Sequence, residues 1–181
     1  NTYTGDTTIS AGTMKLTGTL NSATDLSIAS GATLDLQNTQ TVATLDLEGT
    51  ISNTANTSSL TVSGTADLGG NVTTTGTQTY TGNVTLSNDV TLTTTDSNIT
   101  FNGTINSDGD TARAFTIDLD ANDNGTTADV IFGNDSADTL GATKALGAIS
   151  ITADMDLNAA ITNAASLSVS GTSNLGANVT T

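Results

Sequence analysis

Cysteine, proline, histidine and tryptophan are missing from all 181 residues, aromatic residues make up 3%, and only Lys15, Arg113 and Lys144 carry positive charge. Each absence removes a class of chemistry. Without cysteine there are no disulfides and no thiolate metal sites. Without cysteine or histidine, the usual nucleophile–base pairs of covalent catalysis are lacking, so the chain is expected not to be an enzyme. Against three basic residues stand 18 acidic ones, for a net charge of -15. That balance excludes binding to nucleic-acid phosphates and disfavours anionic membrane surfaces. No apolar run approaches the ~20 residues that a helical membrane span requires. No initiating methionine or secretory leader opens the chain, which reads as an excerpt or processed product of a longer protein.

What remains is threonine, serine, asparagine, glycine and aspartate, interleaved with leucine, isoleucine, valine and alanine. The apolar residues are regularly spaced. In TMKLT at Thr13, TLDLQ at Thr33, SLTVS at Ser59, DVTLT at Asp89, FTIDL at Phe115 and AISIT at Ala148 they fall two apart, which gives an extended strand one dry and one wet face. Fourteen such runs are legible, separated by glycine, asparagine and aspartate suited to tight turns. No helix is expected. ATKALGA, at Ala142 to Ala148, is bracketed by Gly141 and Gly147 and is too short to stand alone.

The chain also repeats itself. SLTVSGTADLGGNVTT (Ser59 to Thr74) returns as SLSVSGTSNLGANVTT (Ser166 to Thr181) with every apolar position retained, as identical stacking environments would require. LDLEGTISN at Leu45 is echoed by MDLNAAITN at Met155, and Thr2-Tyr3-Thr4-Gly5 by Thr79-Tyr80-Thr81-Gly82. Short strands of even rhythm and a small-aliphatic interior favour a parallel β-solenoid over an antiparallel sandwich. The expectation is all-β: one right-handed β-helix over residues 1–181, an elongated rod of about nine coils of roughly 20 residues. It has related modules at about 1–76 and 77–181 and an acidic, irregular insertion at about 108–143.

The sharpest local motif is Asp120-Ala-Asn122-Asp-Asn124-Gly125, the first half of a calcium loop in which alternate oxygen side chains converge on a hard cation. With Asp118 and Asp129 nearby, the candidate metal set is Asp118, Asp120, Asn122, Asn124 and Asp129, with Ca²⁺ the possible ligand. A helix–loop–helix site is rejected, because Ile131 occupies the position of its bidentate glutamate. Paired carboxylates such as Asp118/Asp120 and Asp154/Asp156 leave a carbohydrate-active β-helix as a further alternative, although the aromatic platforms of sugar sites are scarce. Thr-x-Thr pairs such as Thr91-Leu92-Thr93 suggest an ice-binding array. They do not recur in phase from coil to coil, and so read as ordinary outward β-branched residues.

Asn1 to Gly18 resembles the autotransporter-associated β-strand repeat of bacterial surface proteins, with Tyr3, Gly5, Thr7, Ile9 and Gly12 on its frame and Met14 at its usual leucine. Thr77 to Thr94 is similar to repeats of filamentous-haemagglutinin-like adhesins. The resemblance implies an exported right-handed solenoid at a bacterial cell surface, serving as a stalk, adhesin or sheath component. It would stack end to end on copies of itself or on adjoining repeats and face a host or neighbouring cell, without nucleic acid and without inserting in a membrane. It transfers no catalytic or binding residue.

Overall fold

The computed structural model describes residues 4–181, which contain 23 β-strands and no helix. Every strand pairing is parallel, and the strands fall into three sheets that the chain visits in strict rotation. Thr7–Ile9, Asp25–Ile28 and Thr44–Leu47 begin the first face; Thr13–Leu16, Thr33–Leu36 and Thr50–Ser52 the second; Thr39–Val42, Ser59–Val62 and Gln78–Tyr80 the third. The result is a β-solenoid of about eight coils, close to 38 Å long at about 4.8 Å per coil. One coil fewer than expected is present because coil length varies. First-face partners are mostly about 20 residues apart, but Ile105 pairs with Leu140.

The interior is one continuous column of aliphatic side chains, because alternate residues of every strand point inward. Beneath the third face, Val42, Val62, Tyr80, Phe101, Phe132 and Leu157 lie in register. The Tyr80, Phe101 and Phe132 rings stack there, with centroids 5.1 and 5.4 Å apart, and Phe115 meets Phe101 edge-on at 5.6 Å. Tyr80 donates to Gln78 Oε1 at 3.0 Å, and Gln78 Nε2 donates to the Thr93 carbonyl at 3.0 Å, so this buried polar pair is satisfied. Burial alone pushes the Tyr80 phenol well above its usual range.

Asparagine and aspartate at the corners do more than turn the chain. Their side-chain oxygens accept backbone N–H groups of the next coil: Asn71 from Thr91 (2.9 Å), Asn83 from Thr104 (3.2 Å), Asp89 from Ala114 (2.8 Å), Asn98 from Asp129 (3.0 Å) and Asp154 from Thr172 (2.7 Å). Glycine enters where coils crowd: a Cβ on Gly70 would collide with the Gly49 carbonyl of the coil below.

In the acidic stretch 108–143, the strands Arg113–Asp118, Asp129–Phe132 and Thr139–Leu140 occupy the second, third and first faces in turn, and the corners between them are enlarged. One expectation changes: the repeated segment does not sit in identical environments. Ser59–Val62 and Ala66–Leu68 lie on the third and first faces, whereas their copies in Ala164–Val169 and Ser173–Leu175 lie on the second and third. The copies are separated by fourteen strands, four coils and two thirds, so the second is rotated by one face. The unit encoded by the repeat is strand, turn, strand, and any face accepts it. The Thr2-Tyr3 part of the N-terminal echo lies outside the described residues.

Candidate functional site

The candidate calcium loop forms the corner between the second and third faces. Asp118 ends its strand, Leu119 is buried, and Asp120 opens the loop. The Asp120 carboxylate is turned onto its own backbone. Its Oδ1 accepts the N–H of Asn124 at 3.1 Å, and both oxygens approach the N–H of Gly125 at 3.1 and 3.2 Å. Asp118 Oδ1 accepts the Asp120 N–H at 3.0 Å, and Asn122 donates to Asp96 at 2.8 Å across the corner. Asp123 and Gly125 take left-handed φ values of 54° and 84°, the conformation that aspartate and glycine tolerate best.

Asp129 stands apart, on the third face, in register with Asp154. Partial burial, followed by the charges of Asp156 and Asp154, pushes its carboxyl above the usual range. Of the five residues, Asp118, Asp120, Asn122 and Asn124 lie at or in the corner loop, and Asp129 opens the third-face strand that follows it. Among the described residues, no three acidic side chains converge as metal ligands would. Of the carboxylate pairs, Asp154 and Asp156 do share one strand face, whereas Asp120 lies beyond the strand that ends at Asp118.

Two ion pairs fasten the enlarged corners between the first and second faces. Arg113 Nε meets Asp108 at 3.1 Å, and Lys144 Nζ meets Asp110 at 2.5 Å. Each cation holds its partner carboxyl below the usual range, mainly through the hydrogen bond. On the second face, Asp35 is lowered by the Thr54 hydroxyl (2.7 Å), then by the Thr54 N–H (3.0 Å) and Gln37 (2.8 Å).

The outward faces hold what the sequence hid. On the third face, Thr41, Thr61, Thr79 and Thr100 are consecutive register partners, so four coils present one unbroken threonine column. Thr39 and Ser59 form a second column two residues earlier along the strands, which Thr77 and Asn98 continue just before Gln78–Tyr80 and Ile99–Phe101. On the second face, Thr91, Thr116, Ser150 and Ser168 align, as do Thr13, Thr33 and Thr50. The Thr-x-Thr row of Thr91 and Thr93 does not recur, since it meets Thr116 and Asp118; what recurs from coil to coil are single columns. Sequence spacing missed them because the coils differ in length, and only the pairing register reveals the alignment.

Compared with protein-family models, with curated proteins and with solved structures, the chain matches none.

Proposed function

We propose that this chain is a rod segment of a bacterial cell-surface protein of the autotransporter or filamentous-haemagglutinin kind, structural or adhesive in role and extending coil upon coil. The observation that carries the reading is that each coil joins the next through three parallel ladders over one continuous aliphatic column. Leu175 and Val179 are 58% and 38% exposed, although Leu157 and Ile161, their register partners one coil below, are fully buried. A further coil, supplied by adjoining repeats or by another copy, would bury them at roughly 25 cal/mol per Å² of apolar surface. The remaining coils need no cofactor for cohesion, since backbone ladders and the aliphatic column join every coil to the next.

Analytical ultracentrifugation and negative-stain imaging over a concentration series test this. End-to-end filaments or concentration-dependent association are expected, together with their loss in Leu175→Asp/Val179→Asp. A monomer at every concentration, or filaments indifferent to those substitutions, would remove the support for end-to-end stacking.

A further inference from the structure

The threonine array on the third face lies on strands without charge. In a chain of net charge -15, the strands Thr39–Val42, Ser59–Val62, Gln78–Tyr80 and Ile99–Phe101 carry no charged residue. The same face gains carboxylates only in the strands beyond them, at Asp129, Asp154 and Asp156. Other threonine hydroxyls of this protein serve the fold: Thr54 bonds Asp35, Thr74 bonds the Gly76 carbonyl, and Thr94 bonds the Ser97 carbonyl. The hydroxyls of Thr41, Thr61, Thr79 and Thr100 have no hydrogen-bond partner among the described residues, and all four side chains are half-buried. Their hydrogen-bonding capacity is directed outward.

The array is also fixed in place. Directly beneath it runs the register column of Val42, Val62, Tyr80 and Phe101, two of whose rings are stacked. No register slip interrupts the four coils. Hydroxyl and methyl groups therefore repeat at about 4.8 Å along the rod and about 6.6 Å across it, the coil step and the two-residue strand step.

These features narrow the partner. A protein interface is built around aromatic, methionine and arginine anchors, and this face has none. Sugar recognition stacks rings on exposed aromatics, yet Tyr80, Phe101, Phe115 and Phe132 are all buried. Cationic or mineral surfaces call for carboxylates, which these four strands lack. What an uncharged, rigid lattice of hydroxyls and methyls complements is another uncharged lattice with similar repeats. Hexagonal ice presents oxygens at comparable spacings on its prism faces. A rigid array holding first-layer water at those positions removes part of the entropy that each immobilised water would otherwise lose.

We propose that the third face, over its first four strands, binds ice through the Thr41–Thr61–Thr79–Thr100 column and its neighbouring row. This goes beyond the surface-rod reading, and the isolated chain can fail either test without the other.

The test is partition of the fluorescently labelled 181-residue protein into a slowly grown ice hemisphere, with inhibition of ice recrystallisation as a second readout. Enrichment in ice over an inert, equally acidic protein is expected. Thr61→Lys/Thr79→Lys places two charges in the centre of the array and should reduce partition by about tenfold or more, the equivalent of about 1.4 kcal/mol. Ser27→Lys/Thr85→Lys makes the same charge change on the first face and should leave partition unchanged. Thr61→Val/Thr79→Val, which keeps shape and β-propensity, covers the possibility that the lysines disturb folding, and should also weaken partition. Exclusion of the wild-type chain from ice, equal partition of the two lysine variants, or retention by crystalline polysaccharide instead would overturn the proposal.

Discussion

Phe101 is the most connected ring in the core, and its replacement gives the most direct measure of what the aromatic column contributes. It stacks on Tyr80 (5.1 Å, 7°) and Phe132 (5.4 Å, 15°) and meets Phe115 edge-on (5.6 Å, 72°), whereas Phe132 has one ring contact, to Phe101. Phe101→Leu and Phe132→Leu remove the same atoms from equally buried sites, so their transfer and cavity terms nearly cancel in a comparison. What differs is two ring pairs, each worth about 0.5–1.5 kcal/mol. Phe101→Leu should therefore be the more destabilising by about 1–3 kcal/mol, read as the difference in urea midpoints followed by far-UV circular dichroism, with m unchanged. Each coil touches only its neighbours, so the added loss of hydrogen-exchange protection should centre on coils containing Tyr80, Phe101 and Phe115. Equal destabilisation by the two substitutions, or a larger loss from Phe132→Leu, would refute the argument that ring contacts rather than buried volume set the energetics of this column.

Four further outcomes follow from the polar groups. Asn98→Ala should destabilise by about 1 kcal/mol, because it strands the Asp129 N–H that Asn98 accepts across a long coil, and a melt in urea checks it. Asp129 has a raised folded-state pKa, so as pH falls the folded state takes up its proton before the unfolded chain does. The stability this group contributes is present at low pH and lost as pH rises through its folded pKa; Asp129→Asn should accordingly raise Tm at neutral pH, with the gain vanishing once the wild-type carboxyl is protonated. For Asp35, Asp108 and Asp110, whose pKa values are lowered, the sign reverses: their contribution is present above the unfolded pKa and lost as pH falls through the folded one, which thermal melts of Asp35→Asn across the acid range would show. Finally, because Asp120 already accepts the N–H groups of Asn124 and Gly125, millimolar Ca²⁺ is expected to leave Tm unchanged, and a rise of several degrees would show that the loop rearranges to bind it.

Period-two alternation made the all-β solenoid legible, and wherever a strand holds two inward aliphatics, as in Leu60 and Val62, the strand itself could be read. Nine strands escaped. Several, such as Val72–Thr73 and Ala160–Ile161, contain a single inward apolar residue, and Thr39–Val42 and Gln78–Tyr80 begin their inward series with glutamine. A buried glutamine reads as solvent-facing until its partners are seen, which for Gln78 are Tyr80 and the Thr93 carbonyl. The acidic loop was legible as a composition shift, but not its internal use of Asp120, since capping and metal binding ask for the same oxygens at the same spacing. The threonine columns were invisible for a different reason. They are a property of pairing register, and corners of unequal length scramble register in the linear chain without disturbing it in space.

The same distinction between strand pattern and coil phase accounts for the four differences between the repeated segments, and it can be tested by exchange. Transplanting each residue of the second copy into the first gives Thr61→Ser, Ala66→Ser, Asp67→Asn and Gly70→Ala. Were the environments alike, all four would be silent. Thr61 and Asp67 point outward, so their exchange should change stability by no more than about 0.5 kcal/mol. Ala66 is 2% exposed beneath the first face, whereas its counterpart Ser173 lies exposed in the last third-face strand; a hydroxyl at position 66 is buried among aliphatics and should cost about 1–3 kcal/mol. Gly70 faces the Gly49 carbonyl so closely that a Cβ forces the two coils apart, and Gly70→Ala should be the most damaging of the four. Denaturant melts of the single variants decide the matter: if Gly70→Ala and Ala66→Ser match wild type, the one-face rotation of the repeat is wrong. If only those two unfold early, tolerance at the other two positions shows that any face of this solenoid accepts the same strand, and that the coil beneath decides which small residue may occupy each corner.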